Sequence, residues 1–401
     1  MAFEPSQAEP ELPSDLPVRN WPQRIYHVST IYLDFNRTTP TAPSVQEAMH
    51  PYWSQHFFLP SQQHSLAQAV NESLEKARES VSFLVGCDAF EIVFTSSGTE
   101  ANNLAILGAT QNQPAGHLLV GAIEHDSVLG AAEYLSRQGW QVDSVPCDSF
   151  GRIDPNSVTE RLRDETAMVC IQLANPILGT IQPIREIADA CRNRGVRLHC
   201  DATQAFGKIA VDAVSLGVDT MSISGHKFYG PKGSGALYLR GGLKLSPICH
   251  GEPREMGLRP GPENIPACVG MGAAASLASR CVDEVEATFQ ELNERLFNGL
   301  YSHLGGSVGS SHESGLRLPN TLCIELPVNA RKVQQIARRL VVSTAQANAP
   351  PDEMTRVLQA VGRTEQQVSR SLRISLGWTT SREQIDRAVE MLVDACESAG
   401  S

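Results

Sequence analysis

From Ile31 onward the chain alternates short apolar runs with amphipathic stretches. Runs rich in aliphatic residues predict strands at Glu91–Thr95, His117–Ile123, Met168–Leu173, Val196–Cys200, Thr220–Ser224 and Gly235–Leu239, with helical segments between most of them. One helix is marked at both ends. Pro183 sits at its first turn, Ile184, Ile187, Ala188 and Cys191 share one face, and Gly195 terminates it. Near-continuous apolar strands separated by helices predict a doubly wound, mostly parallel sheet covered on both faces. Past about residue 270 the rhythm changes to longer helices, with strands expected near Asn320–Leu326 and Leu372–Leu376. The fold class is α/β: a large domain over residues 41–270 and a smaller α+β domain built from 29–40 and 271–401. Residues 1–28, with Pro5, Pro10, Pro13, Pro17 and Pro22 among acidic and polar filler, read as a mobile tail.

Composition narrows the function. With 33 Lys and Arg against 44 Asp and Glu, the net charge is −11, and the basic residues form no run. A nucleic-acid or anionic-membrane surface is not expected as partner. No apolar stretch approaches the roughly 20 residues needed to span a bilayer, and no basic-then-apolar leader opens the chain. A cytoplasmic protein is expected. The 10 cysteines are scattered without a C-x-x-C pair, which suits small buried hydrophobes better than disulfides, and no metal site is expected.

The candidate chemistry lies at strand ends. Ser222–Pro231 places Lys227, flanked by Ser224 and His226, between an apolar strand and a Gly/Pro-rich turn. A lysine held in a partly dry pocket loses charge and can form a Schiff base with a carbonyl cofactor. Asp201 ends the preceding strand. Pyridoxal phosphate needs such a pair, an amine for its carbonyl and a carboxylate to keep its pyridine nitrogen protonated. Ser97, Gly98 and Thr99 open a helix after a strand, a place suited to an anion such as the cofactor phosphate. His125 could stack on the ring, and the Asn175 amide could reach its phenolic oxygen. In a doubly wound sheet these strand ends converge on one crevice.

From Tyr32 to about Glu390 the sequence resembles the class V aminotransferases of pyridoxal phosphate fold type I, and within them the cysteine desulfurases and selenocysteine lyases. The resemblance is carried by Thr38-Thr39-Pro40, Ser97-Gly98-Thr99-Glu100-Ala101-Asn102-Asn103, Glu124-His125, Asp201-Ala202-Thr203-Gln204, Ser224-Gly225-His226-Lys227-Phe228-Tyr229-Gly230-Pro231 and Leu372-Arg373-Ile374-Ser375. It implies that Lys227 bears the cofactor, Asp201 meets the pyridine nitrogen and His125 stacks on the ring. It further implies that Asn175 and Gln204 contact the ring oxygen, that Gly98, Thr99, Ser224 and His226 hold the phosphate, and that Arg373 clamps the substrate carboxylate. A small amino-acid substrate, a homodimer and a sulfur-acceptor protein are also implied.

The chain departs from the family pattern where a desulfurase carries its nucleophile. Counting back from Arg356–Gly362 places Ala347 at that position, and no cysteine occurs between Cys323 and Cys396. Arg37 replaces a usually small residue, and Pro262 replaces a threonine that in the family reaches the neighbouring subunit's phosphate. Three readings stand: a lyase that breaks a C–S bond by elimination, a desulfurase using another cysteine such as Cys249 or Cys323, and a non-catalytic scaffold in sulfur trafficking.

Overall fold

The computed structural model describes residues 30–310, 317–346 and 350–400. The tail expected over 1–28 and the position of Ala347 lie outside the described residues. In chain order the strands are β1 (Ile31–Tyr32), β2 (Ile92–Thr95), β3 (His117–Gly121), β4 (Gln141–Val145), β5 (Thr166–Gln172), β6 (Arg197–Asp201), β7 (Thr220–Ser224), β8 (Gly235–Leu239), β9 (Gly309–Ser310), β10 (Thr321–Glu325), β11 (Leu340–Val341), β12 (Ser343–Thr344) and β13 (Ser371–Ser375). Strands β2 to β8 form one seven-stranded sheet in the order β2-β8-β7-β6-β5-β3-β4. The run β4-β3-β5-β6-β7 pairs in parallel, whereas β8 is antiparallel to both of its partners.

Alternate residues of the central strands feed different cores. Leu119, Val169 and Ile171 join one, and Leu118, Val120, Met168 and Cys170 join the other. Burial on both faces explains why these strands read as unbroken apolar runs. The helix Ile184–Arg192 forms as its pattern predicts, with Ile184, Ile187, Ala188 and Cys191 buried. Several strand ends differ by one or two residues from the sequence expectation, and two departures have local reasons. β3 stops at Gly121, where an added Cβ would stand 2.4 Å from the Glu124 Oε1 that folds back against it. β4 has no counterpart among the expected strands, because it is a largely exposed edge strand whose polar residues interrupt the apolar signal.

The second sheet, ordered β12-β13-β10-β9, is antiparallel, and β1 pairs with β11 beside it. A 40-residue helix, Ile265–Leu304, runs through the expected division at 270/271. It packs on the helix Ser65–Val85 at Gly272, where a Cβ would lie 2.6 Å from Ala77 Cα. No span-length apolar stretch is expected from the sequence, yet this helix is long and apolar enough by composition, with mean hydropathy 1.3 in its most apolar window. That window is 61% buried inside the fold, so its apolar surface serves the core.

Candidate active site

The carboxyl ends of β2, β5, β6 and β7, with the loop after β3, surround a cavity of about 260 Å³. β2 leads into the helix Gly98–Thr110, whose cap is Ser97: its Oγ accepts the Glu100 N–H at 3.1 Å. Gly98 is required by close approach, since a Cβ there would sit 2.4 Å from Thr203 Cγ2. Gly98 and Thr99 therefore present the first turn of a helix to the cavity, beside Ser224 and His226.

Asp201 ends β6 and is only 4% exposed. Its Oδ1 accepts from the Thr203 N–H (3.0 Å), Thr203 Oγ1 (2.7 Å) and Ser222 Oγ (3.1 Å), and its Oδ2 from Asn102 Nδ2 (2.8 Å). Burial pushes this carboxyl up. The His125 charge and the hydrogen bonds from Thr203 and Asn102 outweigh that and hold it below its ordinary value. The result is an ionised carboxylate in a dry site.

Lys227 lies on the turn after β7. That turn is closed by the Gly225 N–H on Ser234 O (3.0 Å) and the Gly230 N–H on Gly225 O (2.9 Å). Lys227 Nζ donates to the carbonyls of Asn36 (2.6 Å) and Arg37 (3.1 Å). Burial lowers its pKa to about 8, opposed by Glu353 and Asp201 and assisted by Arg373 and Arg37. His226 Nδ1 lies 3.1 Å from Thr38 Oγ1. Its pKa is pushed down to about 4 by burial and by the charges of Lys227, Lys232 and Lys208. Lys208, 4% exposed, donates to Gln204 O (2.9 Å) and Gln204 Oε1 (2.8 Å), and burial together with Lys227 and Arg373 depresses it strongly. Basic groups thus gather at one end of the cavity, where burial and mutual repulsion work against their protonation and a bound anion would favour it.

His125 caps the helix Asp126–Arg137, its Nδ1 accepting the Ser127 N–H at 3.1 Å, and it lines the cavity. Arg373, on β13, stands opposite Ser343 and Cys323 in register. Its Nη2 donates to Asp34 and to Ser343 Oγ (2.7 Å), and its Nη1 to Pro176 O (3.2 Å). The Nε is buried without a partner among the described residues.

Two expected contacts are arranged differently. Asn175 is fully buried and absent from the cavity lining; its Oδ1 accepts the N–H groups of Ile177 (2.9 Å) and Leu178 (2.8 Å), and its Nδ2 reaches Ile123 O (3.3 Å). The Ile177 and Leu178 N–H groups hold this amide in the loop. Gln204 does line the cavity, but its Oε1 holds Lys208 and its Nε2 donates to Asn36 O (3.1 Å). Sequence reasoning missed Asn36, Lys208 and Glu353. Only Lys208 carried a local signal, a charge inside the apolar run Ala205–Ile209.

No cysteine is among the residues lining this cavity. Cys323 is fully buried, burial pushes Cys147 up to about 11, and Cys249 is exposed.

The donor set fits pyridoxal phosphate on three counts: an amine of lowered pKa, a buried ionised carboxylate, and a helix start amid basic groups. The comparisons agree. The chain matches the class-V aminotransferase family over residues 31–388. It is 37% identical over 374 residues to the cysteine desulfurase IscS 1 of Archaeoglobus fulgidus, covering 91% of this chain and 97% of that one. Against the cysteine desulfurase IscS of Methanosarcina thermophila it is 36% identical over 372 residues, 90% of this chain and 91% of the relative. A solved NifS-like protein superposes with a TM-score of 0.86 at 30% identity, over 92% of this chain and 100% of the other. The chain belongs to the class-V aminotransferase family, and is a pyridoxal phosphate-dependent enzyme of fold type I.

Proposed function

We propose that this enzyme cleaves a carbon–sulfur bond in a small sulfur-containing amino acid by elimination. The observation that carries the reading is a cavity with no thiol among the described residues of its lining, in a chain whose sequence has alanine at position 347. The curated relatives support a sulfur amino acid as substrate, since they are named cysteine desulfurases.

Elimination needs no enzymic cysteine. The α-proton passes to a base, the electrons of the C–S bond leave with sulfur as a thiolate or persulfide, and the released aminoacrylate takes up water to give pyruvate and ammonium. Bound pyridoxal phosphate supplies the electron sink that makes the α-proton acidic. Lys227, with a pKa near 8, is partly free base around neutrality and can accept that proton. Asp201 would hold a proton on the pyridine nitrogen, and His125 would cover the ring. Gly98, Thr99, Ser224 and His226 would receive the phosphate. Gln204, which also holds Lys208, would meet the ring oxygen, while the Asn175 amide would support that side from outside the lining, held by the Ile177 and Leu178 N–H groups. Arg373, fixed by Asp34 and Ser343, offers its unpartnered Nε–H to the substrate carboxylate. The same reading includes a cytoplasmic homodimer, in which Pro262 has no hydroxyl for the partner's cofactor.

Product analysis tests the proposal. Cysteine, cystine and selenocysteine are offered in parallel, and pyruvate with ammonium is expected. Alanine accompanied by a persulfide on Cys249 would replace this reading with desulfuration.

A further inference from the structure

Two charged side chains in the active cavity have no partner among the described residues. The Arg37 guanidinium and the Glu353 carboxylate line the cavity, yet neither makes a hydrogen bond or ion pair with any of those residues. Both act on Lys227 through their charge, Glu353 raising its pKa and Arg37 lowering it, and both line the same cavity as the amine. The other charged groups on the lining are engaged: Arg373 by Asp34, Asp201 by Thr203 and Asn102, and Lys227 by two carbonyls.

A second cavity of about 300 Å³ adjoins the first, and Arg37, Glu353 and Arg373 line both. Its far wall is polar, with Gln334, Ser343 and Thr344. Its other charges are already used, because Asp352 caps the helix Glu353–Ala360 through the Thr355 N–H (2.9 Å) and Asp34 holds Arg373. A substrate whose carboxylate sits on Arg373 would extend its side chain past Arg37 and Glu353. A bare thiol or an alkyl group would leave both charges to water alone. A group carrying one charge of each sign would pair both.

We propose that the substrate's side chain ends in a second amino-acid head, its carboxylate on Arg37 and its ammonium on Glu353. The substrate class is therefore two amino acids joined through sulfur, as a disulfide or a thioether. The inference rests on the elimination reading only for the fate of the C–S bond. With cystine the balance is cystine plus water giving pyruvate, ammonium and the persulfide of cysteine.

The test measures dissociation constants of the holoenzyme from its visible-absorbance change on rapid mixing, before turnover. The probes are L-cystathionine, which has a second head, S-carboxymethyl-L-cysteine, which has only a second carboxylate, and S-methyl-L-cysteine, which has neither. Cystathionine is expected to bind about tenfold or more tighter than S-methylcysteine. That ratio should shrink about tenfold in Arg37→Ala and in Glu353→Gln, and should weaken with added salt. A ratio unmoved by both substitutions, or S-carboxymethylcysteine binding tighter than cystathionine, overturns the proposal. If the ratio responds as expected but no pyruvate forms from any substrate, recognition stands and elimination falls. If pyruvate forms while the ratio stays unresponsive, elimination stands and recognition of a second head falls.

Discussion

Two sets of charged groups line the active cavity, and they differ in how their charges are held. The set at the ends of β2, β6 and β7 is saturated: Asp201 accepts four hydrogen bonds, and Lys227 donates two. The set made by Arg37 and the start of the helix Glu353–Ala360 carries charges that nothing in the described protein satisfies. A saturated polar network has one arrangement and suits one permanent ligand. An unsaturated pair stays hydrated until a ligand replaces the water, so it discriminates among ligands that come and go. On the proposed reading the first set would serve the cofactor and the second the substrate.

The contrast can be broken most forcefully at Lys227. Lys227→Ala should cut turnover on the order of 10³-fold. Borohydride reduction followed by peptide mapping should label residue 227 in the wild type and not in the variant; a label elsewhere would misplace the cofactor. Next in size is Gly98→Ala, whose methyl would meet Thr203 at 2.4 Å and disturb the residue that anchors Asp201. Cofactor affinity, measured by titrating apoprotein, should fall about tenfold.

A pH measurement sharpens the difference between the two sets. Below a pKa of about 8 Lys227 is protonated and has no lone pair, so the rate at which apoprotein takes up pyridoxal phosphate should rise as pH rises through that value. Glu353 favours the protonated amine, so Glu353→Gln should move the midpoint to lower pH. A midpoint that moves upward would show that Glu353 does not face Lys227. The smallest effect belongs to Cys249→Ser, which changes an exposed thiol absent from the cavity lining. Pyruvate formation should stay within about twofold of wild type.

Much of the fold was legible because its signals are local. β7 and β8 have the ends the apolar runs indicated, and the helix Ile184–Arg192 buries the face its spacing marked. β4 was not legible, since an exposed edge strand needs no apolar run. For the site, motifs at strand ends located Asp201, Lys227, His125 and Arg373 around one cavity. They did not show where the Asn175 amide turns, because the Ile177 and Leu178 N–H groups decide that. Nor did they show Asn36, whose amide bonds Thr321 Oγ1 (2.8 Å) from 285 positions away while its carbonyl receives Lys227.

The sequence alone determined the alternation of strands and helices, the amine and carboxylate suited to a pyridine cofactor, and the lack of any cysteine between Cys323 and Cys396. These follow from residue chemistry and from periodicities a few residues long. Only the tertiary structure decided which charges are satisfied and which are left facing the cavity. Satisfaction depends on partners brought together by folding from opposite ends of the chain, and no local pattern records that Arg37 and Glu353 find none among the described residues.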